Sequence, residues 1–599
     1  MSRSLLCGHI LQIKNCGFGN IKQKSLSLRQ WKTRSRTLCR QLSQKTVPQP
    51  NKNVPFSELI RFRKEQAQRS IIVQVQSAQS YRELHAYCNQ IGNVKYMFHY
   101  TSGVEPLHFI LIEFASECDV HNVLTASCHS NDNQAVPVKS PFLWFRVAPT
   151  GQRKTTLKLA KAVKLDVENG HRVPVNETVM ELLKSADTIS DQMRVLHETT
   201  KLNDLGVRLR FLTARQVELA VSGMFPDAVA YPFGSSINGY GKMGCDLDLI
   251  LRLHGSNEVQ VPTDTSRLVY QCKAGLGNER SQSQRHMEAI GDLLHLFLPG
   301  CSQVRRILQA RVPILKYNQQ FTDIECDLSM TNMTALHMSE LLYLYGTLDD
   351  RVRPLVFTVR KWAYELGLTN SSPGRWITNF SLTLLVLAFL QQRTHAATPA
   401  VLPTVNTVLQ PADNNDTTIT FLSDVSQLHS YNTDSLASLL LQFFDYYSAF
   451  DFNSRAISLN EAVAITKPEH SALYIVNPLE RTLNVSKNVS IEELERLRIE
   501  LRNAAWTMEL QQQQEDRKQN GKWGVLTLFA NSYKTNRGFY ATTQTSRPNT
   551  GGRMMEVSKL FDMAECKTSS DSRPPQVDEI KKETQDRKRR PGNVRRSNR

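Results

Sequence analysis

Acidic residues are missing from the start of this chain. No Asp or Glu occurs over residues 1–57, while Arg3, Lys14, Lys22, Lys24, Arg29, Lys32, Arg34, Arg36 and Arg40 recur among serines and leucines. No continuous apolar core follows the first charges, which excludes a secretory signal. The composition is that of a mitochondrial transit peptide, and equally that of a basic arm that binds RNA. Paired cysteines are also lacking: the 11 cysteines never fall at C-x-x-C spacing, so neither a zinc site nor a disulfide framework is indicated. The longest apolar run, near residues 380–390, falls short of the ~20 residues that a bilayer span needs.

What is present points to a globular, multidomain chain. The 599 residues are 40% hydrophobic and 22% charged, too long for one core. A formal charge of +17 predicts a polyanionic partner. We read residues 1–57 as targeting segment and linker, the latter marked by Pro48, Pro50 and Pro55, and 70–148 as a small α+β domain. A catalytic domain is expected over 175–340, a helical domain over 341–510 and a low-complexity tail over 511–599. In the small domain the pattern predicts strands over 71–75, 94–100, 108–114 and 142–147, with helices over 81–91 and 118–126. That order, βαββαβ, is the ferredoxin-like plan of RNA-recognition motifs. Ile72, Val73 and Leu111 stand where such a motif carries base-stacking aromatics, so the domain reads as a dimerisation or architectural element. Its free apolar sheet face is expected to bury against a second copy. Helices are predicted over 177–196 and 202–224, and a loop insertion over 254–284. The tail is expected to be disordered, with an apolar island at 523–529 and basic runs at 587–590 and 595–599 that grip RNA electrostatically.

The chain is organised around AYPFGSSINGYGKMGCDLDLILRL, residues 230–253. A short apolar strand enters Gly234-Ser235, and a second strand carries Asp246 and Asp248. Residues two apart in a strand share a face, so both carboxylates face one side while Leu247, Leu249 and Leu251 bury the other. Paired carboxylates suit a hard divalent cation, magnesium or manganese. A Gly-Ser turn offers N–H groups and a hydroxyl to phosphate. A third acid is expected on TDIECDLS, where Asp323, Glu325 and Asp327 alternate on one face; spacing alone does not choose among them.

Glycine-serine, a spacer and then Asp-x-Asp on the next strand resembles the signature of the polymerase-β-like nucleotidyltransferases, and within them the template-independent poly(A) and poly(U) polymerases, their mitochondrial branch above all. The resemblance implies an α+β fold, a polymerase-β-like palm followed by a helical domain, with the ferredoxin-like domain ahead of it. It selects Asp327 as the third aspartate, beside Asp246 and Asp248 as metal ligands. It implies that Gly234 and Ser235 hold the nucleotide phosphates. In RKWAY, Arg360 stands at the family's first triphosphate lysine and Tyr364 replaces the second, with Lys361 as a substitute cation. In TNF, Asn379 and Phe380 stand where relatives place a phosphate-touching serine and a base-stacking tyrosine. Asn477 stands at a base-facing position. The implied function is addition of adenylate from ATP to RNA 3′ ends in the mitochondrial matrix by two-metal phosphoryl transfer, by a homodimer with no membrane span. A terminal uridylyltransferase of the same fold is the alternative, and a catalytically silent RNA-binding scaffold the other.

Overall fold

Apolar alternation begins earlier than the prolines suggest. In the computed structural model, which describes residues 54–128, 140–146, 165–167, 172–253, 278–370, 372, 374–393, 398–410, 419–422, 428, 430–512 and 523–529, helix α1 (Phe56–Gln68) follows directly on Pro55. Its Phe56, Ile60 and Ala67 pack with Phe211 and Ile237. The targeting segment, residues 254–277 of the insertion and the basic runs of the tail lie outside the described residues.

The first domain comprises β1 (Ser70–Val75), α2 (Tyr81–Ile91), β2 (Val94–Ser102), β3 (Leu107–Phe114), α3 (Glu117–Ala126) and β4 (Phe142–Trp144). A short β5 (Leu165–Val167) lies in the basic stretch that precedes the catalytic domain. The sheet order is β4-β1-β3-β2-β5, with β1 antiparallel to β3 and parallel to β4. Ile71, Val73, Ile110 and Ile112 pack beneath the domain's own helices, against Leu84 and Val120. The opposite face does not stay open for a second copy. Ile72, Phe98, Tyr100, Phe109 and Leu111 share a core with Leu205, Leu209 and Leu212 of the catalytic domain. The physical reason is visible in Ile71-Ile72-Val73: a run apolar at every position is a strand buried on both faces.

Next come α4 (Asn176–Lys184), α5 (Ile189–Thr200) and α6 (Asp204–Val221). The continuous helix expected over 177–196 is broken because Thr188 accepts a hydrogen bond from the Asp191 N–H and starts a new helix. Asn203 caps α6 in the same way through Gly206. The palm sheet consists of β6 (Val229–Phe233), β7 (Leu247–Arg252), β8 (Cys301–Ile307), β9 (Ile314–Gln319) and β10 (Ile324–Ser329), with α7 (Glu279–Leu296) between β7 and β8. Its order is β6-β7-β10-β9-β8, and β7 and β10 run parallel.

The helical part follows as α8 (Met333–Leu348), α9 (Val352–Glu365), α10 (Asn379–Leu390), α11 (Val405–Val408), α12 (Leu436–Ser448), the hairpin β11 (Arg455–Ser458) and β12 (Val463–Thr466), then α13 (Ile491–Gln512) and α14 (Val525–Leu528). The apolar run of α10 is buried on every side, as a helix apolar all round requires. No described helix is long and apolar enough to cross a membrane. Packing cuts across the boundaries drawn from composition. Val179, Leu183, Met193 and Leu196 of α4 and α5, and Val525 and Phe529 of the apolar island, join the helical core. Gln192 pins the island by accepting from the Val525 N–H at 2.9 Å.

Candidate active site

Parallel pairing of β7 and β10 sets Asp248 beside Asp327, and Asp246 lies just ahead of β7. Leu247, Leu249 and Leu251 are fully buried on the other side, as the alternation predicts. Each of the three aspartates offers a carboxylate oxygen, and these oxygens lie within 4.8 Å of one another. Asp323 falls in the turn before β10 with φ 55°, and Glu325 is exposed; the gathered acid of the three is Asp327. Burial pushes Asp248 up to about 7, with the charges of Asp246 and Asp327 adding to it. Asp246 is raised by burial and then by Asp327. Lys316 on β9 faces Asp327 across the strands, its Nζ 2.8 and 3.0 Å from the two carboxylate oxygens. Sequence reasoning passed over Lys316; the signal was the alternation in ILKYNQ, where Leu315 and Tyr317 are buried and Lys316 is left on the opposite face. Three converging carboxylates, two of them raised by burial and by their acidic neighbours, fit a divalent cation.

This arrangement fixes the sign of a pH effect. Asp248 holds its proton more tightly folded than unfolded, so from about pH 4 to about 7 the folded chain carries a proton that the unfolded chain has lost. Metal-free stability therefore falls as pH rises through that window. A divalent cation needs the ionised form, so its stabilisation grows over the same range, reaching ~2.7 kcal/mol at a hundredfold excess over Kd. Thermal melts with chelator or with Mg2+ at pH 5 and pH 8 should diverge at pH 8, and Asp248→Asn should flatten the difference. Equal metal stabilisation at both pH values would contradict this assignment.

The phosphate turn differs in detail from expectation. Gly234 has φ 65°, and a Cβ there would lie 2.7 Å from the Asp248 Oδ2, so only glycine fits. Gly234–Ser236 forms a single 3-10 turn. The Gly234 N–H, expected to be available to phosphate, donates to the Ser339 Oγ at 2.7 Å. Among the described residues the buried Ser235 hydroxyl has no partner, and Ser236 Oγ donates to the Asp246 carbonyl at 3.2 Å.

The cations expected on the triphosphate are tied into the scaffold. Arg360 donates to Thr383 Oγ1 at 3.0 Å and to the Tyr240 carbonyl at 2.8 Å, and burial pulls its pKa down to about 10. Lys361 pairs with Glu365 at 2.7 Å and donates to Asn176 Oδ1 at 2.9 Å. Asn379 is exposed in the first turn of α10, and Phe380 is half-buried against the helical core. Asn477 Oδ1 accepts from the Leu479 and Glu480 N–H groups at 2.9 and 3.1 Å, an Asx turn in place of a free base-facing acceptor.

Residues 189–347 match the family "Poly(A) RNA polymerase, mitochondrial-like, central palm domain", residues 435–493 match "Cid1 family poly A polymerase" and residues 55–127 match "RL domain". The chain is 48% identical over 562 residues to the mitochondrial poly(A) RNA polymerase of Drosophila melanogaster, covering 90% of each. It is 35% identical to the Homo sapiens enzyme of the same name, covering 81% of this chain and 82% of that one. Crystal structures of mtPAP with ATPγS and with UTP superpose with TM-scores of 0.69 and 0.70 at 36% identity, covering 80% of this chain and 99% of theirs; further mtPAP structures hold GTP or CTP. The palm, its aspartate cluster and these likenesses over nearly the whole chain have one explanation: the chain belongs to the family of mitochondrial poly(A) RNA polymerases.

Proposed function

We propose that this chain adds adenylate from ATP to RNA 3′ ends without a template, in the mitochondrial matrix. The observation that carries the reading is the convergence of Asp246, Asp248 and Asp327 near the Ser235 hydroxyl, which has no partner among the described residues, in a chain of this family. Asp246 and Asp248 would hold divalent ions, Mg2+ or Mn2+, with Asp327 on the side of the attacking hydroxyl. When bound, such ions lower the pKa of the RNA 3′-hydroxyl and stabilise the departing pyrophosphate. Ser235 donates its hydroxyl to a phosphate oxygen. Phe380 offers a π-face to the base, worth ~1–3 kcal/mol. Arg360 acts as a brace between Tyr240 and α10, since each of its three guanidinium nitrogens already donates to Tyr240 or Thr383. A homodimer through the N-terminal domain stays part of the reading, on a surface other than the sheet face buried on the palm.

The mtPAP structures hold ATPγS, UTP, GTP or CTP, so occupancy of the pocket does not by itself define the nucleotide. Choice is expected in turnover, where only interactions stronger in the transition state count. The test is extension of a labelled oligo(A) RNA with each nucleoside triphosphate separately. ATP should give the longest products at the highest kcat/KM. Faster extension with UTP would make the chain a uridylyltransferase, and no extension with any nucleotide would make it a scaffold.

A further inference from the structure

Near the Gly234–Ser235 turn, three cations meet with too few anions to pair them. The segment 240–243 is wedged onto that turn: a Cβ on Gly241 would come 2.2 Å from the Ser235 carbonyl oxygen. Its backbone is anchored elsewhere too. The Leu202 N–H donates to the Gly241 carbonyl and the Met243 N–H to the Thr200 carbonyl, both at 2.8 Å, and the Tyr240 carbonyl accepts from Arg360. Lys242 therefore projects from a fixed point. Its Nζ lies 5.5 Å from the centre of the Tyr364 ring, and Lys361 Nζ lies 5.9 Å from the same ring. Lys361 has Glu365, whereas Lys242 makes no ion pair among the described residues. Lys242 is exposed to solvent, and partial desolvation together with the charges of Lys361 and Arg360 holds it below the usual lysine range, against the opposing pull of Cys245 and Asp246. A cation crowded by cations is what a polyanion stabilises.

We propose that Lys242 grips the triphosphate of the incoming nucleotide, with the Tyr364 ring as its perch. Tyr364 stands where the family pattern has a second lysine, and each guanidinium nitrogen of Arg360 already donates to Thr383 or Tyr240. Lys242 supplies the missing charge from the loop ahead of β7, and the ring face of Tyr364 holds the ammonium in place by cation–π attraction. This inference rests on the adenylate-transfer reading, because a nucleoside triphosphate is the anion it requires.

The test uses the full chain, and compares Lys242→Met, Tyr364→Lys and the double variant. Equilibrium binding of a non-hydrolysable ATP analogue and of AMP separates the triphosphate from the nucleoside. Lys242→Met should weaken the analogue about ten- to a hundredfold, the range of a charge-assisted hydrogen bond, and leave AMP unchanged. KM for ATP should rise by a similar factor while kcat moves by less than about threefold. Placing lysine at 364 in the Lys242→Met background should restore most of the lost affinity. Unchanged analogue binding, equal losses for analogue and AMP, or no recovery in the double variant would each overturn the inference. A parent chain that neither binds the analogue nor extends RNA would instead overturn the adenylate-transfer reading itself.

Discussion

Asp248→Ala is expected to abolish nucleotide addition and to leave the fold at least as stable as before. Asp248 sits at the point where β7, β10 and the Gly234 turn converge, next to Asp327 in register and so close to Gly234 that a Cβ there would be 2.7 Å from its Oδ2. Losing one metal ligand removes several kcal/mol of charge stabilisation, roughly three to five orders of magnitude in rate. Stability should move the other way. Burial and two like charges raise the Asp248 pKa to about 7, so near pH 8 the metal-free fold carries a carboxylate that it disfavours, and alanine removes that cost. Asp246→Ala should be as inactive, with a smaller gain in stability because Asp246 is more exposed. Primer extension beside a thermal melt decides the matter. Near-normal extension by a well-folded Asp248→Ala chain would end the proposed mechanism.

Much of this site was legible because strand alternation is a local property. Asp246, Leu247, Asp248 and Leu249 announce a wet face and a dry face without any tertiary knowledge. The choice of Asp327 over Asp323 and Glu325 needed the family resemblance, since the turn with φ 55° at Asp323 that sets the acids apart leaves no mark in composition. Lys316 escaped because its own strand, β9, was not read from the sequence, so nothing set it across from Asp327. Arg360 was placed on the right helix, but whether its guanidinium points at ligand or at Thr383 is decided by α10, which packs later in the chain. Helix α1 was missed for a local reason: Pro55 was read as linker, although proline is favoured at the start of a helix, where its missing N–H costs nothing. The buried face of the first domain lay between these cases. Ile71-Ile72-Val73 signals two-sided burial, but not that the second cover is this chain's own palm.

That cover leads to the other large effect: Leu111→Ala, in the first domain, should lower the melting temperature of the whole catalytic unit. Leu111 is fully buried, in the core that joins the first sheet to α6 and the palm strands. Phe321 of the palm sits against that sheet, its ring 5.8 Å from Phe109 and 6.0 Å from Phe142. Tyr100 Oη and Ser102 Oγ donate to the Phe321 and Gln320 carbonyls at 3.0 and 2.6 Å. Charges seal the edge: Arg208 of α6 bonds Glu113 of β3 and also Asp204, and Arg63 of α1 reaches Asp204 at 2.6 Å. These contacts couple the two sheets, so a cavity in the seam weakens both. A buried Leu→Ala change costs ~2–5 kcal/mol, which for a unit of this size lowers Tm by about 2–5 °C. Calorimetry should show one transition that moves as a whole, with polymerase activity lost at the same lowered temperature. Removing residues 70–146 should be worse, since Leu205, Leu209 and Leu212 would then face water and the remainder should aggregate. If Leu111→Ala instead gives two transitions, with the palm melting and activity unmoved, the first domain is an independent module and the shared core contributes nothing to the active site.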